Sequence, residues 1–309
     1  MNKTKPTLSR KSKRLIFFIC ILALPLIQFA IFYLYVNFNS IILAFQNYAQ
    51  KDGELGYNVT FAGFNNFIEV FKILQDKPQL LENSLTLFIA ELFIAIPLAL
   101  CFSYYIYKQR LLSGVFRVLL FLPQIISGTV FAIITKIFLT EAVPLAFNMP
   151  YAPLLDAPIE QTRFILIAFT IFCSFGTNVL LFTGAMTNIS PSLVEASELD
   201  GCNPIQEFIH VTIPCIFPTV TTFIIMLISG IFVNQMHLMT FNLGHDMADT
   251  IGFYIYKQAQ AGSGGLVPND VKTPSFSVLS AASLLITIIL FPLTLGIRKL
   301  LTKFGPSAR

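Results

Sequence analysis

Six long apolar stretches recur along the chain, and each is long enough to cross a lipid bilayer as a helix. The hydrocarbon core of a bilayer is about 30 Å thick and needs roughly 20 apolar helical residues. Prolines in several stretches are tolerated where neighbouring helices satisfy the carbonyl groups that proline leaves free. The pattern predicts an all-α, polytopic membrane protein with six transmembrane helices in one packed bundle. The stretches lie at 15–36, 84–107, 116–139, 164–184, 215–233 and 278–297.

The composition favours the same class of protein and excludes others. Of the 309 residues, 55% are hydrophobic and 12% are charged, whereas soluble domains carry about 25% charged residues. So little charge cannot cover a soluble globule of this length, which excludes a cytosolic enzyme and a secreted disulfide scaffold. The five cysteines form no Cys-x-x-Cys pair and predict neither a disulfide framework nor a metal site. Membrane lipid is the partner that this composition predicts, and nothing in it points to nucleic acid.

The distribution of lysine and arginine predicts the orientation in the membrane. Six of the 20 precede the first stretch, three lie at the turn between the second and third, and four follow the sixth. Because basic residues concentrate on the cytoplasmic side, both termini are expected there. The loops 108–115 and 185–214 would face the cytoplasm as well. The expected organisation is a basic tail over 1–14, a six-helix transmembrane domain over 15–300 and a tail over 301–309.

The loop at 185–214 carries the signals of two short helices joined by a tight turn. Ser190-Pro191 is typical of a helix start, and Ser192-x-x-Glu195 also fits a capping box. Gly201 is expected to end this helix in a left-handed conformation.

The second helix of this loop is predicted to begin at Asn203-Pro204. Gln206 stands at the spacing of a capping box, and Pro214 is expected to end the helix. Apolar residues from both helices are expected to face the cytoplasm, with acidic residues around them. The apolar set is Leu193, Val194, Ala196, Leu199, Ile205, Phe208 and Ile209, and the acidic set is Glu195, Glu198, Asp200 and Glu207.

A helix of about ten residues is marginal in water by itself, so this loop needs something to bind. A partner protein with a basic-rimmed groove fits the apolar face and its acidic surround. The alternatives are that the loop folds back on its own bundle or lies among lipid headgroups. Anionic lipid disfavours an acidic segment.

One pattern in this loop resembles the EAA loop of binding-protein-dependent ABC importer permeases. It consists of Glu195-Ala196-Ser197, Gly201 and the segment 211–214 (Val-Thr-Ile-Pro). The family motif reads EAA-x3-G-x9-I-x-L-P, and its spacing is complete here. Ser197, Val211 and Ile213 depart from it by modest changes of size or polarity.

Other segments extend the resemblance over about 60–300, most closely to the maltose-type and glycerol-phosphate-type carbohydrate permeases. Departures from the family are the absence of tryptophan and Gly244-His245-Asp246 in place of Gly-Gly-Pro. The similar segments are Asn83-Ser84-Leu85, Phe116-Arg117 leading to Leu122-Pro123, and Thr250 followed by Tyr254-Ile255-Tyr256.

The resemblance implies a type I ABC importer permease fold and a subunit that moves a sugar or oligosaccharide across the bacterial cytoplasmic membrane. It also implies a second homologous permease, two cytoplasmic ATPase subunits and an extracytoplasmic solute-binding protein. ATP and Mg would be held by the ATPases, so this chain is expected to be no enzyme and to hold no cofactor. The sequence has no Gly-Lys dipeptide and hence no Walker A loop.

In this family the EAA segment is a coupling helix that sits in a cleft of the ATPase. The resemblance implies that Glu195 pairs with a basic residue there, that Ala196 and Leu199 make apolar contacts, and that Gly201 allows the turn. The implied coupling residues are Glu195, Ala196, Ser197, Leu199, Asp200, Gly201 and Pro214.

Polar residues inside the spans are candidates for a sugar pathway, because hydroxyl groups need matching hydrogen-bond partners. They serve equally well as helix-packing residues. Glu91 is expected either to pair with Lys136 or to be protonated. The pathway candidates are Ser174, Thr177, Asn178, Ser229, Asn234 and Gln235.

The last outer loop carries His237, His245, Asp246 and Asp249, whose spacing matches no standard metal site. A polar surface loop is expected there.

Three other functions stay open at this point. The solute could be a glycerol-phosphate or a peptide-like compound instead of a sugar. The protein could be an ion-coupled carrier, although few ionisable residues lie inside the spans. It could also be a membrane scaffold or receptor without a translocation pathway.

Overall fold

The computed structural model describes residues 10–50, 57–147, 159–235, 237–241, 248–262 and 275–306. Among these residues, six helices are long and apolar enough to cross a membrane, which confirms the predicted number of spans. Several extend past the apolar stretches, because hydropathy marks the lipid-facing part of a helix and not its ends. The six spans are Lys13–Ala44, Gln79–Tyr107, Gly128–Ala146, Glu160–Met186, Pro204–Gly230 and Phe276–Phe304.

The chain divides into two compact units, of which the first comprises residues 1–71 and 268–285. Its first span is one long helix with a six-residue π-helical segment in the middle. A short antiparallel hairpin follows, with Gln46 opposite Phe61. This hairpin adds a small element that the all-α prediction does not include. The elements are α1 (Arg10–Phe29), the π segment Ala30–Tyr35, α2 (Val36–Ala44), β1 (Gln46–Gln50), β2 (Tyr57–Phe61) and the beginning of α3 (Asn65–Asp76).

A buried asparagine holds the hairpin against the end of the first span. The Asn66 side-chain amide donates to the carbonyl oxygens of Ala44 and Gln46, at 2.8 and 2.9 Å. The rings of Phe45 and Phe67 pack beside it with centroids 5.2 Å apart. One amide therefore satisfies the backbone carbonyls where the helix changes into a strand.

The second unit comprises residues 72–267 and 286–309. Within its described residues, three π-helical turns lie inside continuous helices, at Glu91–Ala95, Phe138–Ala142 and Phe208–Thr212. The α-helices that begin in this unit are α4 (Gln79–Ala90), α5 (Ile96–Tyr107), α6 (Ser113–Ile125), α7 (Gly128–Ile137), α8 (Val143–Ala146), α9 (Ile159–Met186), α10 (Pro191–Leu199), α11 (Pro204–Glu207), α12 (Ile213–Gly230), α13 (Leu238–Phe241) and α14 (Ile251–Gly262). Helix α15 (Phe276–Phe304) begins in the first unit and ends in the second.

The predicted third span at 116–139 is wrong in its bounds, because the structure divides it into two helices. Helix α6 is only 13 residues long and ends at Ile125. Ile126 and Ser127 are extended, with ψ angles of 140° and 129°, and α7 begins at Gly128. The break falls at Ser127-Gly128, a pair that favours turns, but the stretch is apolar enough on average that hydropathy alone predicts one helix. The third span therefore starts later and continues to Ala146.

The core of the second unit lies where α5, α9 and α12 meet. A buried hydroxyl joins two of these helices: Ser103 Oγ bonds the carbonyl of Val179 on α9 at 2.9 Å and that of Ala99 on its own helix at 2.6 Å. The rings of Phe182 and Phe223 pack with centroids 4.5 Å apart. The buried apolar residues of this core include Ile96, Ala99, Phe175, Val179, Phe182, Ile216 and Val220.

Glycine permits a close approach of α6 to α9. A Cβ atom added at Gly176 would collide with the backbone carbonyl of Leu120. Gly184, two turns further along α9, has no heavy atom within 4 Å of the same added atom. The two glycines form a matched pair on one helix.

We expect Gly176→Ala to destabilise the protein by roughly 1–3 kcal/mol, because overpacking forces α6 away from α9. Gly184→Ala should leave stability unchanged or raise it by up to about 1 kcal/mol through helix propensity. The measurement is the thermal unfolding midpoint in detergent. Equal midpoints for the two variants would contradict the close packing of these helices.

Candidate functional site

The first helix of the loop at 185–214 begins at Pro191, as predicted. The predicted capping box of Ser192 and Glu195 is wrong. Ser190 occupies the N-cap position with extended backbone, and its hydroxyl bonds the Ser192 hydroxyl at 2.8 Å instead of a backbone N–H. Proline at the first helical position removes one of the N–H groups that a helix start leaves unsatisfied, and the N–H of Leu193 donates to the Ser190 carbonyl at 3.1 Å.

Gly201 ends this helix in the left-handed conformation predicted for it, with φ of +76°. The N–H of Cys202 donates to the carbonyl of Ser197 at 3.0 Å, and the N–H of Gly201 donates to that of Glu198 at 3.1 Å. This pair of bonds is a Schellman motif, which satisfies the last free carbonyls of the helix. The turn is therefore sharp and closed by two backbone hydrogen bonds.

The second helix begins with the capping box predicted at Asn203 and Gln206. Each side chain bonds the other residue's backbone N–H, at 2.9 Å in both directions. The prediction that Pro214 ends this helix is wrong. Because the π turn at Phe208–Thr212 shifts the hydrogen-bond register just before Pro214, the missing N–H is tolerated and the helix continues into the fifth span.

The loop has an outer face and an inner face. Leu199 is 89% exposed and Ile205 69% exposed. We define the outer face by its exposed members Leu193, Glu195, Ala196, Leu199, Asp200, Gly201 and Ile205. It contains five of the seven predicted coupling residues.

The other two predicted coupling residues point elsewhere. Ser197 is buried, and its hydroxyl donates to the carbonyl of Val194 at 2.7 Å. Pro214 is half-buried. The expectation that Val194 and Phe208 face away from the bundle is wrong, since both pack on the core between α5, α9 and α12.

Glu207 also departs from its predicted place in the exposed acidic set. It is only 4% exposed, and its carboxylate lies 2.7 Å from the ammonium group of Lys108. Lys108 also lies 3.7 Å from the carboxylate of Glu198. A buried carboxylate needs a cation, and the loop contains no lysine or arginine, so the cation comes from the end of the second span.

Sequence reasoning missed Lys108 as a partner of the loop. Tyr104, one turn before it, was missed as well: its hydroxyl donates to the carbonyl of Pro204 at 3.0 Å, and its ring lies 4.9 Å from that of Phe208. A signal was available, because Glu207 stands beside Phe208 without a nearby cation in the loop. The basic turn after the second span was already expected on the same side of the membrane.

An open cavity of about 350 Å³, a groove in the surface and not an enclosed pocket, lies between the second and fifth spans. Glu91 stands on the π turn of the second span, and Asn234 follows the fifth. Among the described residues no ion pair joins Glu91 to Lys136, so the predicted pair is not formed in the structure. The described lining is Glu91, Met226, Leu227, Gly230, Val233 and Asn234.

Of the six predicted pathway residues, Asn234 is the one in the described lining of this cavity. Ser174 and Ser229 donate to carbonyls one turn back in their own helices, at 3.1 and 2.9 Å. Thr177 is exposed, and Asn178 is half-buried, as is Gln235. The structure therefore does not gather the six residues into one site.

Hydrogen bonds from side chains hold the N-terminal end of the second span against the segment before α14. Asn83 donates to the carbonyl of Asp249 at 2.8 Å, and the N–H of Ile251 donates to the hydroxyl of Ser84 at 3.1 Å. The Thr250 hydroxyl donates to the carbonyl of Asn234 at 2.7 Å. Asn83, Ser84 and Thr250 belong to the segments that resemble the family, and these hydrogen bonds give each of them a structural role.

The expected polar surface loop is wrong for Asp249, which is 2% exposed and lies 3.4 Å from the Lys257 ammonium group. The hydrogen bond from the Asn83 amide to the Asp249 carbonyl oxygen keeps Asp249 inside the protein. His237 packs edge-on against Phe169, and burial lowers its pKa. His245 and Asp246, like Gly244, lie outside the described residues. Among those described, no group of three His, Cys, Asp or Glu side chains could hold a metal ion.

The chain is similar in sequence to known membrane transport proteins. The sequence profile of the family described as "Binding-protein-dependent transport system inner membrane component" matches residues 79–306. The chain is 25% identical over 248 residues to the arabinooligosaccharides transport system permease protein AraP of Bacillus subtilis (strain 168), covering 76% of each chain. It is 24% identical over 217 residues to the sn-glycerol-3-phosphate transport system permease protein UgpA of Yersinia pestis bv. Antiqua (strain Antiqua), covering 68% of this chain and 72% of that one.

A solved structure shares the fold with a TM-score of 0.72 at 19% identity, covering 96% of this chain and 98% of that chain. It is the bacterial alginate ABC transporter in complex with alginate pentasaccharide-bound periplasmic protein. The agreement confirms the predicted ABC importer permease fold.

We expect Gly201→Val to loosen the turn between α10 and α11. A residue with a Cβ atom in the left-handed conformation costs roughly 1–2 kcal/mol, which raises the population of the open turn roughly 5- to 30-fold. No heavy atom lies within 4 Å of a Cβ atom added there, so the effect comes from the backbone alone. Hydrogen exchange of residues 197–207 should accelerate accordingly.

Gly201→Asn is the matched control, because asparagine tolerates this conformation far better than valine. Its exchange should stay close to that of the wild type. Equal exchange in the valine variant and the wild type would contradict the assigned turn.

Proposed function

The chain belongs to the family of binding-protein-dependent transport system inner membrane components, and on that premise we propose that it is the permease subunit of an ATP-driven importer for a carbohydrate. The proposed partners are a second homologous permease, two ATPase subunits and an extracytoplasmic solute-binding protein. ATP and Mg would be held by the ATPases, with no cofactor in this chain. Both termini would lie in the cytoplasm of a bacterial cell.

The single observation that carries the coupling role is the outer face of the loop. Leu199 is the most exposed of its apolar residues and stands within one turn of the exposed Glu195. A hydrogen-bonded turn and a capping box keep the loop in one conformation. A preorganised apolar face with an adjacent carboxylate suits docking into a basic-rimmed groove of another protein. We therefore propose that the ATPase binds this face.

The cavity beside the second span supports a polar, uncharged solute. Glu91 and Asn234 offer hydrogen-bond groups that match sugar hydroxyls, and the rest of its described lining is apolar. The solute named for AraP, an arabinooligosaccharide, is a carbohydrate without a charged group.

Similarity to UgpA makes a glycerol-phosphate the second candidate solute. A phosphate needs cationic or N–H donors, whereas the described cavity lining contains no lysine or arginine and one carboxyl group. This balance of charge favours the carbohydrate.

We expect Glu195→Lys to abolish co-purification of the ATPase subunit with this chain, because a cation would then face the basic rim of the proposed groove. The measurement is the amount of ATPase recovered when the tagged chain is purified from its native cells. Glu160→Lys is the control, since Glu160 is also an exposed acid but lies at the other end of α9. Full ATPase recovery with normal uptake in the Glu195 variant would argue strongly against docking at this face.

We expect Asn234→Leu to lower uptake of a labelled arabinooligosaccharide, because loss of a hydrogen-bonding group from a binding site costs roughly 1–3 kcal/mol. The side chains are similar in volume, and the Asn234 carbonyl that accepts from Thr250 is retained. Ser229→Ala should transport normally, since that hydroxyl is satisfied within its own helix.

Two other outcomes of the uptake measurement would contradict the carbohydrate importer. Greater competition by glycerol 3-phosphate than by sugars would favour the second candidate solute. Collapse of uptake by a protonophore at constant ATP would indicate an ion-coupled carrier.

A further inference from the structure

The end of the second span is joined to both helices of the loop by one lysine. Lys108 follows the last residue of α5, and its ammonium group lies 2.7 Å from the Glu207 carboxylate and 3.7 Å from that of Glu198. Glu198 belongs to α10 and Glu207 to α11. A single cation therefore bridges the two sides of the turn at Gly201.

Burial makes the contact to Glu207 the stronger of the two. The Glu207 side chain is 5% exposed and that of Lys108 18%, whereas the Glu198 side chain is 65% exposed and its contact is screened by solvent. The position of Lys108 at the C-terminus of α5 also suits a cation, because the helix dipole is negative there. Removal of the lysine would leave Glu207 buried without its cation.

A second contact to the same helix end acts beside the ion pair. The Tyr104 hydroxyl bonds the first carbonyl of α11, at Pro204. Its ring packs on Phe208, and both belong to the apolar core that also includes Val194 of α10. The loop thus contacts the second span through a charge, a hydrogen bond and an apolar surface.

The second span continues from this contact to the cavity. Glu91 lies on the π turn at its middle, between α4 and α5, and lines the cavity with Asn234. The loop is continuous in the chain with the fourth and fifth spans only. The second span can follow a movement of the loop only through noncovalent contacts. Those of Lys108 and Tyr104 reach the loop itself, and the packing of α5 on α9 and α12 reaches the fourth and fifth spans.

We infer that Lys108 is a positioning residue that makes the second span move with the coupling loop and so links ATPase closure to the cavity at Glu91. This inference rests on the proposed importer function. It assigns Lys108 no contact with ATP or with the solute. Its removal should leave ATPase docking on the outer face intact but disconnect that docking from the cavity.

The test uses the whole complex, purified through this chain, with a single reporter cysteine in place of Glu91. Glu91 lines the cavity from the second span, whereas the other described lining residues belong to or follow the fifth span, which is continuous with the loop. The five native cysteines are replaced by serine or alanine. The readout is the labelling rate of the reporter by a polar maleimide, with and without ATP plus vanadate. It requires no knowledge of the solute.

In the otherwise unchanged complex, ATP plus vanadate should alter the labelling rate roughly fivefold or more, the lower end of typical coupling between sites. Lys108→Met should abolish most of this change while ATPase recovery and ATP hydrolysis persist. Glu207→Gln should do the same without leaving a buried charge behind. Lys108→Arg should retain the change, because a guanidinium also supplies several donors to carboxylates.

Arg163→Met is the control, because it breaks another ion pair of the second span, to the exposed Glu82, away from the loop. It should keep the ATP-dependent change. A full change in Lys108→Met, or loss of ATPase recovery from that variant, would overturn the positioning role. Absence of both ATPase and ATP response in the parent complex would instead refute the proposed function and, with it, this inference.

Discussion

Polar contacts at both ends of the second span are the constraint on which the site depends. At one end, Asn83 and Ser84 bind the backbone before α14, and at the other, Lys108 binds the buried Glu207. Where water is scarce, an unmatched polar group is costly, so such contacts form wherever a partner is available. They fix the position of the span, and with it Glu91 at the cavity.

The loop at 185–214 combines rigidity with exposure. Its turn is closed by a left-handed glycine and a capping box, and its inner face is held by Lys108. Leu199 nevertheless stays 89% exposed. A short helix held so firmly loses little further entropy on binding, which favours a stable contact with a partner protein. This combination is why we propose coupling as the role of the loop.

Local rules predicted the parts of this structure that local chemistry determines. The six spans follow from hydropathy, the turn at Gly201 from the freedom of glycine, and the cap at Asn203 from its spacing to Gln206. Contacts between distant segments could not be read in this way. The pairing of Glu207 with Lys108 joins residues almost 100 positions apart, so Glu207 was wrongly placed among the exposed acids.

Two other errors concern the local path of the backbone. The break before Gly128 falls at Ser127-Gly128, residues that favour turns but hardly change the average hydropathy of the stretch, and the continuation of the helix through Pro214 depends on a π turn. Both are choices of backbone hydrogen bonding that the average hydropathy of a stretch does not report. Of the six pathway candidates, the structure places Asn234 in the cavity lining described beside Glu91, because a polar residue in a span can equally well bond its own helix.

Cross-linking from Leu199 in intact cells tests the central claim most directly. A Leu199→Cys variant, with the native cysteines replaced, would carry a short thiol-reactive photo-crosslinker at the most exposed position of the outer face. The account predicts an adduct with the ATPase subunit. Labelling of this cysteine from outside the cell by an impermeant reagent, or the absence of any protein adduct in a transport-competent cell, would contradict it.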